Sequence, residues 1–315
     1  VTGMIVDNLG GEFSFMKNLL EVTGYKDMLS TLYVNDVKRR YTLFAVPNAV
    51  FTEAGIELNI ASLAAYLGET DTNYDEEQNL VSRYVAYHIA TTAYSYADLN
   101  ADIDNNTSKN ITMAASNSLM SCNLVNDAFY LNYDKGTQKG ITVTEKNINC
   151  KNGVIHVVDG LLEEVVPKAT TVKWDLTDYE ELGAICEKFQ LANLSATYLY
   201  TYLGFDYPSC YTYSSSYFDY YLANKNEVAY KCVNHDCLRF RFSKYGWIQM
   251  RTPMIIAGKY TVSLAHYNVA AKEKGGKWAV IIDGEYVGGQ VTTTGESTSK
   301  SSYSTVKVGE VEFAE

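Results

Sequence analysis

The segment GVIHVVDGLL, residues 153–162, constrains the fold more than any other stretch, because so apolar a run needs a buried place in a folded chain. Alternate side chains of a β-strand point to opposite faces, so Val154, His156 and Val158 share one face. The residues between them take the other face and are equally apolar. The pattern therefore predicts a strand that is buried on both sides.

His156 is the polar exception in this strand, and three roles are open to it: a ligand, a catalytic base or a core residue. No G-x-S-x-G motif is present to supply a nucleophile for it to activate. A buried imidazole needs hydrogen-bond partners on its ring nitrogens. We expect a structural histidine that ties the strand to a neighbouring loop.

The residues before Pro167 mix helical and strand periods. The segment FSFMKNLLEV, residues 13–22, has apolar residues at helical spacing, and YTLFAV, residues 41–46, is typical of a short strand. A second helix is predicted in DEEQNLVSRYVAYHI, residues 75–89, with an acidic start and one packed face. That face comprises Leu80, Val81, Tyr84, Val85 and His88.

Short strands separated by Asn, Gly and Lys turns follow from Ile111. Helices followed by a strand-rich run that returns to one core predict an α+β domain over residues 1–167. Residues 168–315 become nearly all strand from about Glu227, with DGE as a hairpin signal. An all-β sandwich, a jelly roll, is the fold expected there.

Composition excludes several classes of function. A chain of 315 residues favours two domains, and its net charge of −11 argues against a nucleic-acid partner. No run approaches the roughly 18 apolar residues that span a bilayer. The start at Val1 is read as a processed or trimmed end, while 27 Tyr and an even six Cys hint at an exported protein.

Three motifs in order resemble the fasciclin (FAS1) family. TLFAVPNAVF, residues 42–51, is similar to the first family signature, T-hydrophobic-F-A-P-T-N-x-A-F, and NGVIHVVDGLL, residues 152–162, to the second. Tyr87-His88 stands where the family has its Tyr-His pair. Two departures, Val46-Pro47 for Pro-Thr and Val50 for Ala, alter the turn but leave the strand and Asn48.

The resemblance implies a helix-decorated β-wedge, an exported protein, a role in adhesion or surface interaction, and no enzyme. The whole arrangement also resembles secreted lipoproteins of Bacteroidetes-type bacteria, in which a fasciclin domain precedes a galactose-binding-like jelly roll. It implies a bacterial cell surface or outer membrane, reached only through a lipid anchor. It also implies a surface-protein partner or an outer-membrane transport complex.

Within the motifs, each residue has an expected role. Asn48 can cap the helical turn that contains Val50 and Phe51. His88 is expected to be packed and hydrogen-bonded. Tyr87 points about a quarter-turn away from that face, and an exposed contact role stays open for it beside a packed one.

The cysteines leave both disulfides and reduced thiols open. Cys122 and Cys150 flank the late strands of the first domain and could pair, and Cys210 could pair with Cys232 or Cys237. The segment CVNHDC, residues 232–237, suggests a metal site, but its spacing is not that of a zinc knuckle. We predict no metal and no cofactor.

Aromatic residues are the remaining signal in the second domain. SKYGWIQMR puts Tyr245 and Trp247 on one face of a strand, with Arg251 placed to bond hydroxyl groups. YPSCYTYSSSYFDYY, which contains Tyr213 and Tyr217, is dense in aromatic and polar residues. Both stretches suit sugar binding, but a core role for Trp247 or a protein interface for the Tyr-rich run fits as well.

Catalysis has no support in the pattern. The carboxylate pairs Glu76-Glu77, Glu163-Glu164 and Glu180-Glu181 are adjacent in sequence, so the side chains of each pair diverge. A glycosidase needs two carboxyls about 5–9.5 Å apart across a cleft. We therefore expect a non-enzymatic surface protein, either a glycan-binding or nutrient-capture accessory with a polysaccharide ligand, or a protein–protein adhesin or complex subunit.

Overall fold

The structure is a computed structural model, and two compact units are seen in it. The first comprises residues 1–173 with 253–255, and the second comprises residues 174–252 with 256–315. The residues that the structure describes are 3–34, 37–177, 193–195, 217–222, 236–241, 247, 252–267, 269–270, 276–292, 294–295 and 303–314.

The first unit alternates helices with strands and then becomes all strand. Its α-helices are α1 Ser14–Val22, α2 Tyr25–Ser30, α3 Asn48–Glu53, α4 Ile60–Leu67, α5 Leu80–Ala86 and α6 Tyr96–Asn100. Its strands are β1 Tyr33–Val34, β2 Val37–Lys38, β3 Tyr41–Ala45, β4 Ile89–Ala90, β5 Ser108–Thr112, β6 Leu119–Val125, β7 Ala128–Asp134, β8 Lys139–Ile141, β9 Val143–Cys150 and β10 Gly153–Val158. This is the predicted α+β order, helices first and strands later.

Strand β10 lies inside a four-stranded sheet of order β4-β3-β10-β9. It pairs parallel with β3, Gly153 opposite Tyr41 and Val157 opposite Ala45, and antiparallel with β9. All six residues of β10 and all five of β3 are buried. The prediction of a strand buried on both faces is confirmed, and the two motif strands prove to be neighbours.

Helices and a second sheet enclose this central sheet. Phe15 of α1 meets Phe51 of α3 edge to face, with ring centroids 4.8 Å apart. The second sheet has the antiparallel order β5-β6-β7-β8. No helix among the described residues is long and apolar enough to cross a membrane.

Helix α5 begins later than the acidic run suggested. Asn79 is its N-cap and accepts the Val81 N–H at 2.9 Å, so residues 75–78 precede the helix. Val81, Tyr84 and Val85 are buried as expected, but Leu80 is 40% exposed and does not belong to the packed face. The cap places Leu80 on the first helical turn, where its side chain reaches solvent.

The described part of the second unit is sheet-rich. Its strands are β11 Asn193–Ser195, β12 Tyr217–Leu222, β13 Asp236–Arg241, β14 Gly258–Tyr267, β15 Val269–Ala270, β16 Lys277–Ile282, β17 Glu285–Thr292, β18 Thr294–Gly295 and β19 Tyr303–Phe313. They pair as β11-β12-β13, β14-β19, β15-β18 and β16-β17. The jelly-roll arrangement of these pairs stays a prediction.

The predicted DGE hairpin joins β16 to β17. Asp283 and Gly284 both have positive φ, 50° and 87°, and Ile282 pairs with Glu285 across the turn. Two central residues with positive φ match the twist of the flanking strands in a two-residue hairpin. Val287, Val291 and Val308 form a small buried cluster against neighbouring strands.

Gly153→Ala tests the close pairing of β3 with β10. A Cβ at Gly153 would lie 1.9 Å from the Tyr41 carbonyl oxygen, and the residue has φ +151°. We expect a loss of about 2 kcal/mol or more in the free energy of unfolding, because backbone rather than a flexible side chain blocks the methyl group. Far-UV circular dichroism during urea unfolding measures it.

Gly11→Ala is the matched control, since a Cβ there meets nothing within 4 Å. All three Trp, at 174, 247 and 278, lie in the second unit, so Trp fluorescence follows that unit separately. Equal stability of the two variants would contradict the close approach.

Candidate functional site

The three motif segments meet around strand β3. Asn48 follows β3 at the start of α3, Tyr87-His88 joins α5 to β4, and His156 lies in β10. The Phe44 N–H donates to the His88 carbonyl oxygen at 2.9 Å, which fixes the α5–β4 junction to β3. Tyr87, His88 and His156 are each 0% exposed, so the motif builds an interior rather than an open cleft.

His156 is hydrogen-bonded on both ring nitrogens. Nε2 lies 3.0 Å from the Tyr94 carbonyl oxygen, and Nδ1 lies 3.3 Å from the Asn147 backbone nitrogen. A carbonyl only accepts, so Nε2 carries the proton and Nδ1 accepts the Asn147 N–H. Burial lowers the pKa of His156, which keeps the ring neutral.

A bulge in β9 presents the Asn147 N–H to this histidine. The pairing of β10 with β9 shifts register between Ile155 and Val157, opposite His156. Asn147 itself has φ 60°, and its Oδ1 accepts the Tyr96 N–H at 2.7 Å. The histidine and the bulged asparagine together tie β10, β9 and the start of α6.

Tyr87 connects α5 to the second sheet. Its hydroxyl donates to the Leu119 carbonyl oxygen at 3.0 Å and accepts from Asn132 Nδ2 at 3.0 Å. The backbone of Val165 also hydrogen-bonds to it, and burial raises the pKa of Tyr87 to about 12. A fully buried ring has no surface to offer a partner, so the structure places Tyr87 in the packed role.

His88 is packed beside Tyr84, with ring centroids 4.5 Å apart. Its Nδ1 lies 2.7 Å from the Tyr84 carbonyl oxygen, so Nδ1 carries the proton. Within the described part of the chain, neither His88 Nε2 nor the Tyr84 hydroxyl has a hydrogen-bond partner. Burial lowers the pKa of His88 to about 4, because a second proton would put an uncompensated charge in the core.

Asn48 does not cap its own helix, so that prediction is wrong. Pro47 is the N-cap of α3, and no side chain caps this end. The Asn48 side chain instead reaches the start of α1, where Oδ1 accepts the Phe15 N–H at 3.0 Å. Its Nδ2 donates to Ser14 Oγ at 2.9 Å and to the Gly11 carbonyl oxygen at 3.2 Å. Asn48 thus caps a helix more than thirty residues earlier in the chain.

Asn152 is a structural residue that the sequence reasoning missed. It is 0% exposed, accepts the Ile5 N–H at 2.9 Å and donates to the Leu29 carbonyl oxygen at 2.6 Å. It therefore joins Ile5 and the end of α2 to the turn before β10. The Asn152 side chain comes directly before the buried strand β10. Because a buried amide must find hydrogen-bond partners, this position could have indicated a structural role.

The carboxylates Glu163 and Glu164 have separate partners, in agreement with their predicted divergence. Glu164 forms a two-point ion pair with Arg83, at 3.1 Å to Nε and 2.5 Å to Nη2, and also accepts the Ser118 hydroxyl. Glu163 accepts the Tyr66 hydroxyl at 2.6 Å. These contacts hold the segment after β10 against α4 and α5.

Large apolar side chains remain exposed around these contacts. We call them the Tyr66 face, and its members are Tyr66, Leu80, Val165 and Val166, with exposed fractions of 46%, 40%, 44% and 88%. The Leu80 N–H donates to Glu69, three residues after Tyr66, which brings α4 and α5 together here. Exposed apolar side chains of this size are candidates for a binding region.

The predicted sugar-binding residues lie mostly outside the described residues. Tyr213, Tyr245 and Arg251 fall there, while Tyr217 begins β12 opposite Arg241. Trp247 is described and is 39% exposed. Its role in sugar binding stays a prediction.

The structure places Cys122 and Cys150 as free thiols, so the disulfide considered between them is not made. Cys122 lies in β6 and Cys150 ends β9, which belong to different sheets. Burial raises the pKa of Cys122 to about 12 and that of Cys150 to about 11, which keeps both thiols protonated. Cys237 is half-buried in β13, and Cys210 and Cys232 lie outside the described residues.

The described side chains offer no grouping of three or more His, Cys, Asp or Glu suited to a metal ion. Residues 232–235 of the segment CVNHDC lie outside the described residues. The titratable groups of the motif that are described are neutral and enclosed. Their arrangement can support packing but presents no reactive atom to solvent.

Comparison with known proteins identifies the first unit. Residues 11–164 match the family described as "Fasciclin domain", and this part of the chain is a FAS1 domain. A solved structure, "Novel Fold Revealed by the Structure of a FAS1 Domain Pair from the Insect Cell Adhesion Molecule Fasciclin I", is 19% identical, with a TM-score of 0.39. The match covers 52% of this chain and 51% of that one, about half of each. No curated protein matches the chain.

Acid should destabilise the first unit through His88. Its pKa is about 4 in the folded state and 6.5 when unfolded, so the unfolded chain takes up the proton first as pH falls. As the pH falls from about 6.5 to about 4, His88 binds a proton in the unfolded chain but not in the folded one. This lowers the free energy of unfolding by about 3 kcal/mol. Urea unfolding followed by circular dichroism across this range measures it.

His88→Gln removes the titration and serves as the comparison. It should be less stable than the native chain at pH 7 but lose clearly less stability on acidification. Parallel pH profiles for the two proteins would show that His88 is not the responsible group.

Asn48→Ala should destabilise the first unit by about 1–2 kcal/mol, because the Phe15 N–H loses its acceptor. Asn48→Asp keeps that acceptor and adds a favourable charge at a helix N-terminus, so it should lose less. Thr52→Ala is the matched control, since the Thr52 hydroxyl bonds only within α3. Equal losses from Asn48→Ala and Asn48→Asp, measured by urea unfolding, would contradict the capping contact.

Proposed function

We propose that the protein is a non-enzymatic binding protein of a bacterial cell surface, and that its exposed side chains bind the ligand or partner. One observation carries this proposal: the titratable motif residues Tyr87, His88 and His156 are enclosed, while the large apolar side chains of the Tyr66 face are exposed. The fasciclin domain over residues 11–164 supports it, because that family is non-enzymatic and adhesion-type.

An exported, lipid-anchored location at an outer membrane is part of the same proposal. It rests on the resemblance to Bacteroidetes-type lipoproteins and on the extracellular or surface location of FAS1 homologues. In that setting a ligand arrives from outside, and the protein holds it or passes it to a transport complex. Both roles need a binding surface and no reaction centre.

The first candidate ligand is a polysaccharide, bound by the second unit. The exposed Trp247 ring, with Tyr245, Arg251, Tyr213 and Tyr217, has the chemistry for it. A flat ring packs against the apolar C–H face of a sugar, and a guanidinium donates several hydrogen bonds to hydroxyl groups. The exposed position of Trp247 is the specific observation in favour.

The second candidate is a protein partner at the Tyr66 face. Exposed apolar side chains rimmed by polar groups are typical of protein interfaces. Val166 stands out at 88% exposed. Beads coated with the full chain should then adhere to protein-coated surfaces, and Val166→Asp should reduce that adhesion. Adhesion that is unchanged in this variant would exclude the face.

Titration calorimetry of the full chain against plant, microbial and host polysaccharides tests the first candidate. We expect saturable binding to at least one polysaccharide, weakened about tenfold or more in Trp247→Ala, because losing the apolar contact of the ring costs about 1.5 kcal/mol or more. Tyr286→Ala is the matched control, an aromatic residue 72% exposed on β17. Sugar binding through this ring would be rejected if no polysaccharide bound, or if Trp247→Ala bound as tightly as the native chain.

A further inference from the structure

Helix α4 has no charged residue on any side, although one side of it faces solvent. Leu63 and Ala64 are buried and attach the helix to the core. The other side presents Ala61, Ala65 and Tyr66, all of them exposed, and we call these three residues the α4 face. A helix at a protein surface normally carries charged or polar side chains on its outer side, and an apolar side is normally covered. The α4 face is therefore a candidate for contact with a partner.

The shape of this face suits a second helix. Ala61 and Ala65 are one helical turn apart, so they lie on the same side of α4. Small side chains let another helix approach closely, because the distance between packed helices depends on the side chains at the contact. The Tyr66 ring, 46% exposed, borders the alanines. The charge-free segment extends over residues 58–68, in a chain in which 20% of the residues are charged.

Carboxylates lie at both ends of α4. Before the helix, the Glu57 N–H donates to Ser62 Oγ at 3.0 Å. After it, the Glu69 N–H donates to the Ala64 carbonyl oxygen at 2.8 Å. The Leu80 N–H and two further backbone N–H groups donate to the Glu69 carboxylate, and these bonds hold the pKa of Glu69 below its usual range. Glu69 is therefore ionised at neutral pH.

A third carboxylate borders the α4 face, and none of the three has a cation. Glu163 accepts the Tyr66 hydroxyl at 2.6 Å. Residues 41–82 contain seven Asp or Glu and no Lys or Arg, and the next cation, Arg83, is ion-paired with Glu164. Among the described residues, no cation forms an ion pair with any of these three carboxylates. Their charge is left for a partner to balance.

We propose that the α4 face binds an amphipathic helix of a partner protein, with Lys or Arg residues flanking the apolar stripe of that helix. The partner's apolar side chains cover the face, while its cations reach Glu57, Glu69 and Glu163. A second copy of this chain does not fit face to face, since its carboxylates would meet their own kind. The inference rests on the protein-partner candidate of the proposed function and adds the chemistry of that partner.

The length of α4 determines how much of the partner helix it can cover. Its eight residues span about 12 Å, which is roughly two turns of the partner helix. The carboxylates lie just beyond that length at either end, so the cations belong about one turn outside the apolar stripe. Complementary charges of this kind select the partner and its register, while apolar burial supplies the attraction.

Fluorescence anisotropy tests the proposal with the full chain and a labelled synthetic peptide. The peptide contains about 14 residues of Leu and Lys, with Leu at the spacing of one helical stripe. We expect saturable binding to the native chain. A peptide with Glu in place of every Lys should not bind, because like charges meet. A scrambled peptide of the same composition, which lacks the stripe, should bind clearly more weakly.

Ala65→Glu is the decisive variant, because it separates docking from general attraction to an acidic protein. The added carboxylate would be buried in the middle of the contact, so binding should weaken about tenfold or more. Attraction by charge alone would instead be strengthened by it. Asn18→Glu, at an exposed position of α1, adds the same charge elsewhere and should bind like the native chain. Circular dichroism verifies that both variants fold.

Glu163→Gln tests the charge requirement, since an amide oxygen still accepts the Tyr66 hydroxyl. Loss of one exposed ion pair should weaken binding about two- to fivefold. Glu145→Gln, at an exposed position of β9, is the matched control and should leave binding unchanged.

Four results would overturn the proposal. They are a native chain that does not bind the Leu-Lys peptide, an acidic peptide that binds as well, Ala65→Glu binding as tightly as the native chain, and Glu163→Gln behaving like its control. The bead assay keeps the proposed function separate. Adhesion that Val166→Asp reduces would stand even if the peptide failed, and peptide binding lost in Ala65→Glu would stand even if the beads did not adhere.

Discussion

The parallel pairing of β3 with β10 is the contact on which the first unit depends. It joins two segments that are far apart in the chain and buries every residue of both strands. Gly153 makes the pairing feasible because any side chain there would strike the Tyr41 carbonyl oxygen. Helices α1, α3 and α5 then pack around a sheet whose two central strands are fully buried, and the second sheet is attached through Tyr87.

Buried polar side chains hold the remaining pieces in position. His156 joins β10 to the β9 bulge and to the loop before α6, while Asn152 joins the turn before β10 to Ile5. Asn48 joins α3 to α1, and Tyr87 joins α5 to β6 and β7. Each of these groups has its partners on a different element. Hydrogen bonding inside the domain thus explains the polar residues of the motifs.

Local pattern in the sequence was enough to predict the strand around His156, its double burial and the helix-then-strand order. These features depend on side-chain period alone, which is visible in any single sequence. Asn48 was assigned to the nearest helix, because its real partner, the start of α1, becomes close only in the folded domain. Leu80 has the spacing of the packed face, but the Asn79 cap makes it the first residue of α5, where its side chain is exposed.

The surface was the least predictable part. Nothing in local spacing shows that Glu163 lies against Tyr66 or that Glu69 accepts the Leu80 N–H, since these residues come from separate segments of the chain. The thiols of Cys122 and Cys150 illustrate the same limit, as two residues can flank the same strands and still belong to different sheets. In the second unit, the turn at Asp283-Gly284 was readable because two residues suffice to specify it.

The parallel pairing of β3 with β10 also determines when the central sheet can form during synthesis. Strand β3 leaves the ribosome more than a hundred residues before β10, its principal partner. At about 10 residues per second, the edge of β3 that pairs with β10 waits roughly 10 s for its partner. During that interval the nascent chain is open to wrong pairings and depends on chaperones or on delayed folding. The pairing that stabilises the folded domain is therefore also the contact that forms last during synthesis.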